Sequence, residues 1–176
     1  QKPFLKKLLE KHPEITTVVL NINDRFGPVI LGVREKVIYG SGYIEDVLCG
    51  KRFRISSRSF YQINPVQTEK LYSAAIDLAG LTGNETVLDA YCGIGTIGLS
   101  ASDKAKQVIG VEINRDAVND AIANARLNGV KNCWFTVGDA GKYMEQMAAD
   151  KVKPDVVFMD PPRAGCDERF LSSLLK

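Results

Sequence analysis

The spacing of apolar residues changes twice along the chain. Residues Pro3 to Lys11 read as a short amphipathic helix that ends before Pro13. From Ile15 to Ile55 the pattern is that of short strands. Thr16 to Ile22 is rich in β-branched residues. Val29 to Val33, Val37 to Gly40 and Tyr43–Ile44 follow at close spacing, and Arg52 to Ser56 alternates like one more strand. Asp24, Gly27–Pro28, Gly40 and Gly42 supply turn chemistry between them. This β-rich start, expected to be antiparallel, is too small to bury a comfortable core of its own.

Near Phe60 the period lengthens. Asn64 is placed to cap a helix, Pro65 to open it and Gln67 to act as a capping-box partner. Leu71, Ala74, Ala75 and Leu78 mark an apolar face, and Gly80 closes the helix. Strands and helices then alternate, strand first: Thr86–Asp89 and Thr96–Ala101, Gln107–Glu112 and Arg115–Asn128, Trp134–Val137 and Lys142–Ala149, Asp155–Asp160 and Phe170–Leu175. Ala117, Val118, Ala121, Ile122, Ala125 and Leu127 share or adjoin one face of the second of these helices. Such alternation, with strands apolar along their length, predicts an α/β fold with a parallel sheet covered on both faces. The predicted organisation is a β-rich segment over 1–58 and an α/β domain over 59–176.

Composition narrows the class. Hydrophobic residues at 45% and charged residues at 25% suit a soluble globular chain, and a net charge of +2 does not by itself announce nucleic acid. No apolar run approaches the roughly 18 residues of a membrane span. Cys49, Cys92, Cys133 and Cys166 lack CxxC spacing and His12 has no nearby partner, so no metal site is expected. Scattered cysteines without a secretion signal suggest reduced thiols and a cytoplasmic protein.

The chemistry-bearing residues cluster at predicted strand ends. Asp89-Ala-Tyr91-Cys-Gly93-Ile-Gly95-Thr96-Ile-Gly98 follows the first strand of the α/β part, where glycines allow a tight turn and a close approach to a ligand. Glu112 ends the second strand, 19 residues after Gly93, where a carboxylate can accept two ribose hydroxyls. Asp139 follows the third, where it can accept from an adenine amino group. Each alone also reads as a polar strand end; their succession points to a nucleotide cofactor. A dinucleotide would set its pyrophosphate on the glycine loop, close to the charge of Asp89. S-adenosylmethionine, with a sulfonium and an ammonium, suits that acid better. After the fourth strand, Asp160-Pro161-Pro162-Arg163 forms a stiff shelf with fewer backbone donors. In amino-methylating enzymes an aromatic residue follows a similar Pro-Pro pair; here Arg163 stands there.

Three segments together resemble the RNA uracil-5-methyltransferase family: Ser59-Phe-Tyr-Gln62-Ile-Asn-Pro65, Asp89-Ala-Tyr-Cys-Gly-Ile-Gly95 and Asp160-Pro-Pro-Arg-Ala-Gly165. The likeness covers about residues 52–176. It implies a Rossmann-like, class I methyltransferase fold, incomplete at about four parallel strands. It also implies S-adenosylmethionine as cofactor, held by Gln62, Tyr91, Gly93, Gly95, Thr96, Glu112, Asp139 and Asp160. Pro161, Pro162 and Arg163 would lie on the substrate side. The family often has Phe at the position of Tyr91, and Asn is common at those of Thr96 and Asp139. The implied partner is RNA, ribosomal (23S) or transfer, and the implied state a monomer without membrane contact.

Uracil C5 is a weak nucleophile, and the family activates it by adding a cysteine thiolate to C6, with a carboxylate base later removing the C5 proton. Both groups lie further along the family's sequences, so they are expected beyond Lys176, and this chain is expected to be an inactive fragment that holds the cofactor site. Cys166 is nearest the Asp160 shelf, but its matched position is only a loop. Lys51, Arg52, Arg54 and Arg58 interleaved with Phe53, Phe60 and Tyr61 suggest phosphate contact and base stacking. The alternatives are an amino-methyltransferase acting on a nucleobase and a non-catalytic RNA- or cofactor-binding module.

Overall fold

The computed structural model describes residues 2–24, 26–27 and 30–175. They form two compact units, Gln1–Glu45 with Ser56–Arg58, and Asp46–Ile55 with Ser59–Lys176. In the first unit, helix α1 (Lys2–Lys11) precedes strands β1 (Val18–Ile22) and β2 (Arg34–Tyr39), which pair antiparallel from Val19 opposite Val37 to Ile22 opposite Arg34. Over the described part of the strand expected at Val29–Val33, no strand forms. Val29 and Pro28 lie outside the described residues, and Ile30–Val33 is irregular. The Asn21 side chain explains this. It accepts from the Gly32 N–H at 2.7 Å and donates to the Gly32 carbonyl at 3.1 Å, so this backbone bonds a side chain instead of a ladder.

Strands β3 (Tyr43–Leu48) and β4 (Lys51–Ser56) form a second two-stranded sheet, and the division between the units falls within them. Positive φ at Cys49 (50°) and Gly50 (72°) gives the two-residue turn that matches the twist of a hairpin. The segment 46–55, grouped by sequence pattern with the β-rich start, belongs to the second unit. Leu48 and Phe53 are fully buried there with Tyr72, Ile94 and Leu99.

The second unit continues as α2 (Pro65–Ala79), β5 (Thr86–Ala90), α3 (Thr96–Ala101), β6 (Gln107–Glu112), α4 (Arg115–Leu127), β7 (Cys133–Val137), α5 (Ala140–Ala149), β8 (Val156–Met159) and α6 (Glu168–Leu174). Its four strands are parallel in the order β7-β6-β5-β8, the α/β arrangement that the alternation predicts. Alternate strand residues feed two cores. Leu88, Ala90 and Val111 pack with Met144, Met147 and Phe170, whereas Val87 and Val108 pack with Ile76 and Ala101.

The pattern misplaces the face of α2, whereas in α4 Ala117, Val118, Ala121 and Ala125 are buried as expected and polar residues join them. In α2, Asn64 caps by accepting from the Gln67 N–H at 3.2 Å, and Gly80 closes the helix at φ 61°. The buried stripe, however, is Thr68, Tyr72 and Ile76, while Leu71 and Leu78 are exposed. Apolar residues occupy both sides of this helix, and spacing alone cannot choose between them. In α4 the buried set includes Asn124, because its amide serves β4. Asn124 accepts from the Arg54 N–H at 2.7 Å and donates to the Arg54 carbonyl at 3.2 Å. One helical turn on, Asn128 does the same for Arg52 at 2.8 and 2.7 Å. The i,i+4 spacing of the helix matches the two-residue repeat along one edge of the strand, so two side chains replace ladder partners.

Candidate cofactor-binding site

The carboxyl ends of β5, β6, β7 and β8 open on one cleft of about 680 Å³, within the size range of small-molecule sites. The crevice beyond the carboxyl ends of parallel strands is where such folds bind ligands. Gln62, Tyr91, Gly93, Thr96, Glu112, Asp139, Asp160, Pro161, Pro162 and Arg163 all line it. Gly95 does not. Its φ of 83° caps α3, and a Cβ there would press on the Phe135 ring at 2.9 Å, so its smallness serves packing.

Each acid is held by its own element. Glu112 turns back on the loops beside it, accepting from the Gly93 N–H at 3.1 Å and the Asn114 N–H at 2.7 Å. These bonds fix the carboxylate at the cleft wall and leave it further acceptor capacity. Asp139 caps α5 through the Lys142 N–H at 2.9 Å. Asp160 is exposed just past β8, beside the stiff Pro161–Pro162 pair. Tyr91 sits at φ 63°, unusual for an aromatic residue, and its ring lies 5.7 Å from that of Phe170. Burial and a bond with Cys166 push its phenol up to about 12, so it remains a neutral hydroxyl.

Asp89 departs from the role that its position in the sequence suggests. It does not line the cleft but is buried to 1% exposure beneath α3, where Oδ2 accepts from the Gly98 N–H at 2.8 Å. Gly98 is needed there, since a Cβ would stand 2.8 Å from the same oxygen. Burial pushes the Asp89 carboxyl up to about 7, against the Gly98 bond, with Asp160 and Glu112 adding to the rise. Tyr72 is a lining residue that sequence reasoning missed. It is 3% exposed, and its hydroxyl lies 3.1 Å from Thr96 Oγ1. A tyrosine on the buried stripe of α2, in contact with Thr96 but 24 residues from it in sequence, leaves no local signal.

The cysteines are not poised as nucleophiles. Cys92 lies at the cleft wall, but burial raises its thiol well above the usual range. Burial also raises Cys49, and it pushes Cys133 up to about 12. Cys166 packs beside Tyr91 in the core around Phe170. The expected cationic and aromatic patch is largely consumed by the fold. Phe53 is fully buried, Lys51 bonds Asp103 at 2.7 Å, and Arg54 lies 3.8 Å from Asp120. In the first unit Arg58 donates to the Gly32 carbonyl at 2.8 Å. Phe60, 75% exposed, remains at the cleft. Among the described residues no group of three His, Cys, Asp or Glu is placed to hold a metal, and no helix is long and apolar enough to cross a membrane.

The chain resembles known proteins in both sequence and shape. It is 48% identical to an uncharacterized RNA methyltransferase of Halalkalibacterium halodurans, over 99% of this chain and 38% of that protein. It is 52% identical to an uncharacterized RNA methyltransferase of Listeria innocua, over 98% of this chain and 39% of that protein. The chain thus spans about two fifths of these curated relatives. Among solved structures, the tRNA (uracil-54, C5)-methyltransferase of Pyrococcus abyssi in complex with S-adenosyl-L-homocysteine superposes with a TM-score of 0.74. The identity is 26%, over 94% of this chain and 40% of that one. The M. jannaschii tRNA m1G37 methyltransferase, 16% identical over 73% of this chain and 37% of that one, shares the fold at a TM-score of 0.56. The sheet is therefore that of the Rossmann-like class I methyltransferases. A family model described as methyltransferase domain matches residues 81–168, half of the sequence, and the chain belongs to that family.

Proposed function

We propose that this chain is the cofactor-binding part of an S-adenosylmethionine-dependent RNA methyltransferase that acts on C5 of uridine. One observation carries the reading: Glu112, Asp139 and Asp160, from three successive strand ends, share one cleft with Gln62. S-adenosylmethionine is the cofactor, and its groups match the wall. Glu112 can accept from ribose hydroxyls, Asp139 from the adenine amino group, and the acids around Asp160 favour the sulfonium and ammonium charges. When bound, the cofactor supplies an electrophilic methyl group. Pro161 and Pro162 hold the backbone beside it rigid, and Arg163 offers a fixed charge to the incoming nucleic acid. Support for RNA as substrate comes from the relatives; support for uracil C5 comes from the Gln62, Gly93 and Asp160 segments and from the P. abyssi neighbour.

The nucleophile and base belong, in this reading, to sequence beyond Lys176, and the four cysteines here do not replace them. The expected outcome is binding of S-adenosyl-L-homocysteine by calorimetry without transfer of labelled methyl groups to uridine-containing RNA. Turnover on such RNA by this chain would refute the division of labour. Absence of any binding to the folded chain would refute the cofactor site.

A further inference from the structure

The cleft is unbalanced in charge. Glu112, Asp139 and Asp160 line it, and Asp89 lies beneath it. This suits every polar group of the cofactor except one, its α-carboxylate. A carboxylate must settle on hydrogen-bond donors that offset these acids. The side-chain donors in the wall are the Gln62 amide, the Arg163 guanidinium, the Tyr61 and Tyr91 phenols and the hydroxyls of Tyr72 and Thr96, with Tyr61 turned toward Asp46. Arg163 is exposed on the shelf after β8, beside Asp160. Tyr91 is engaged with Cys166.

The hydroxyls of Tyr72 and Thr96 form a unit. They lie 3.1 Å apart and either can donate to the other. Two hydroxyls hold two hydrogens, and their mutual bond uses one. The second is left for an acceptor from outside the pair, and both residues line the cleft. Burial holds the Tyr72 phenol above its ordinary range, with Asp160 and Asp89 adding to the rise, so the hydrogen stays on. The wall is fixed from both sides, because Tyr72 is packed with Leu48, Phe53 and Leu99 and Thr96 opens α3.

We propose that the Tyr72–Thr96 hydroxyl pair receives the α-carboxylate of the cofactor and thereby sets its amino-acid end. This assigns to Tyr72, from a helix outside the strand-end loops, a positioning role in the site. It rests on S-adenosylmethionine being the ligand.

The test compares two ligands by calorimetry on this chain: S-adenosyl-L-homocysteine, and 5′-deoxy-5′-methylthioadenosine, which lacks the amino-acid end. Tyr72→Phe is expected to weaken the first on the order of tenfold and to leave the second within about twofold. Thr96→Val should do the same, the double variant should be no weaker than Thr96→Val alone, and Thr96→Ser should restore binding. Equal losses for both ligands in Tyr72→Phe would mean a structural role and overturn the proposal. Additive losses would overturn it as well, as would a selective loss carried by Arg163→Gln instead. If the unsubstituted chain binds the methylthio nucleoside as tightly as S-adenosyl-L-homocysteine, the seat is wrong but the cofactor reading stands. If it binds neither, the cofactor reading itself fails and the proposal with it.

Discussion

The two units treat their apolar residues in opposite ways. In the unit of Asp46–Ile55 and Ser59–Lys176, side chains from both faces of a parallel sheet are buried, from Val87 and Val108 on one side to Leu88 and Phe170 on the other. In the unit of Gln1–Glu45 and Ser56–Arg58, no hydrophobic side chain among the described residues is fully buried, and Val37, Ile44 and Tyr39 are each more than two fifths exposed. The layering differs. A sheet covered on both faces builds a core and, at its strand ends, a rigid cleft. A two-stranded pair has no second layer to bury its face against. The candidate site lies wholly in the unit that has the layers.

The contrast is broken most directly by truncating one residue from each unit. Phe53→Ala should cost about 3–5 kcal/mol in denaturant unfolding and Val37→Ala less than about 1 kcal/mol. Similar losses would mean that the first unit holds more of the stability than its burial suggests.

A second effect is pH-dependent and belongs to Asp89. Its folded-state carboxyl, at about 7, is raised above the unfolded value, so between about pH 4 and pH 7 the folded chain holds a proton that the unfolded chain has lost. Stability should therefore fall as pH rises through that window and level off above about 7, by at most about 4 kcal/mol. Asp89→Asn should flatten the slope in thermal melts taken across the same range; an unchanged slope would clear Asp89 of this role.

The next two changes sharpen the contrast at the site and at β4. Glu112→Gln should weaken S-adenosyl-L-homocysteine on the order of tenfold to a hundredfold, whereas Glu35→Gln in the first unit should leave affinity unchanged by calorimetry. Asn124→Ala should destabilise by about 1–3 kcal/mol, since the Arg54 N–H and the Arg54 and Ile94 carbonyls lose their partner. Hydrogen exchange should then quicken at Arg54. Smallest is Asn64→Ala, about 1 kcal/mol through loss of the α2 cap, read from the unfolding midpoint.

Legibility in the sequence follows the same division. Where a strand is buried on both faces, its apolar run has sharp ends; β6 forms over the predicted Gln107–Glu112, and the α/β alternation appears as the β7-β6-β5-β8 sheet. Where partners are side chains, the run misleads. Ile30–Val33 has strand-like residues but bonds Asn21, and Leu71 and Leu78 look like a core face but are exposed. Most of the expected cleft residues meet because they sit at strand ends, a position that a pattern of periods marks directly. Tyr72 and Asp89 escaped for the opposite reason: their roles depend on what is packed against them.

The sequence by itself determined the parallel α/β alternation, the helix caps at Asn64 and Gly80, and the row of acids at successive strand ends, because these are local consequences of period, turn chemistry and spacing. Only the tertiary structure decided that Phe53 is core and not an RNA-facing aromatic. It likewise decided that Asp89 is a buried support under Gly98, and that Tyr72 joins Thr96 at the cleft wall. Burial and hydrogen bonding are properties of neighbours brought together from distant parts of the chain, and no window of residues contains them.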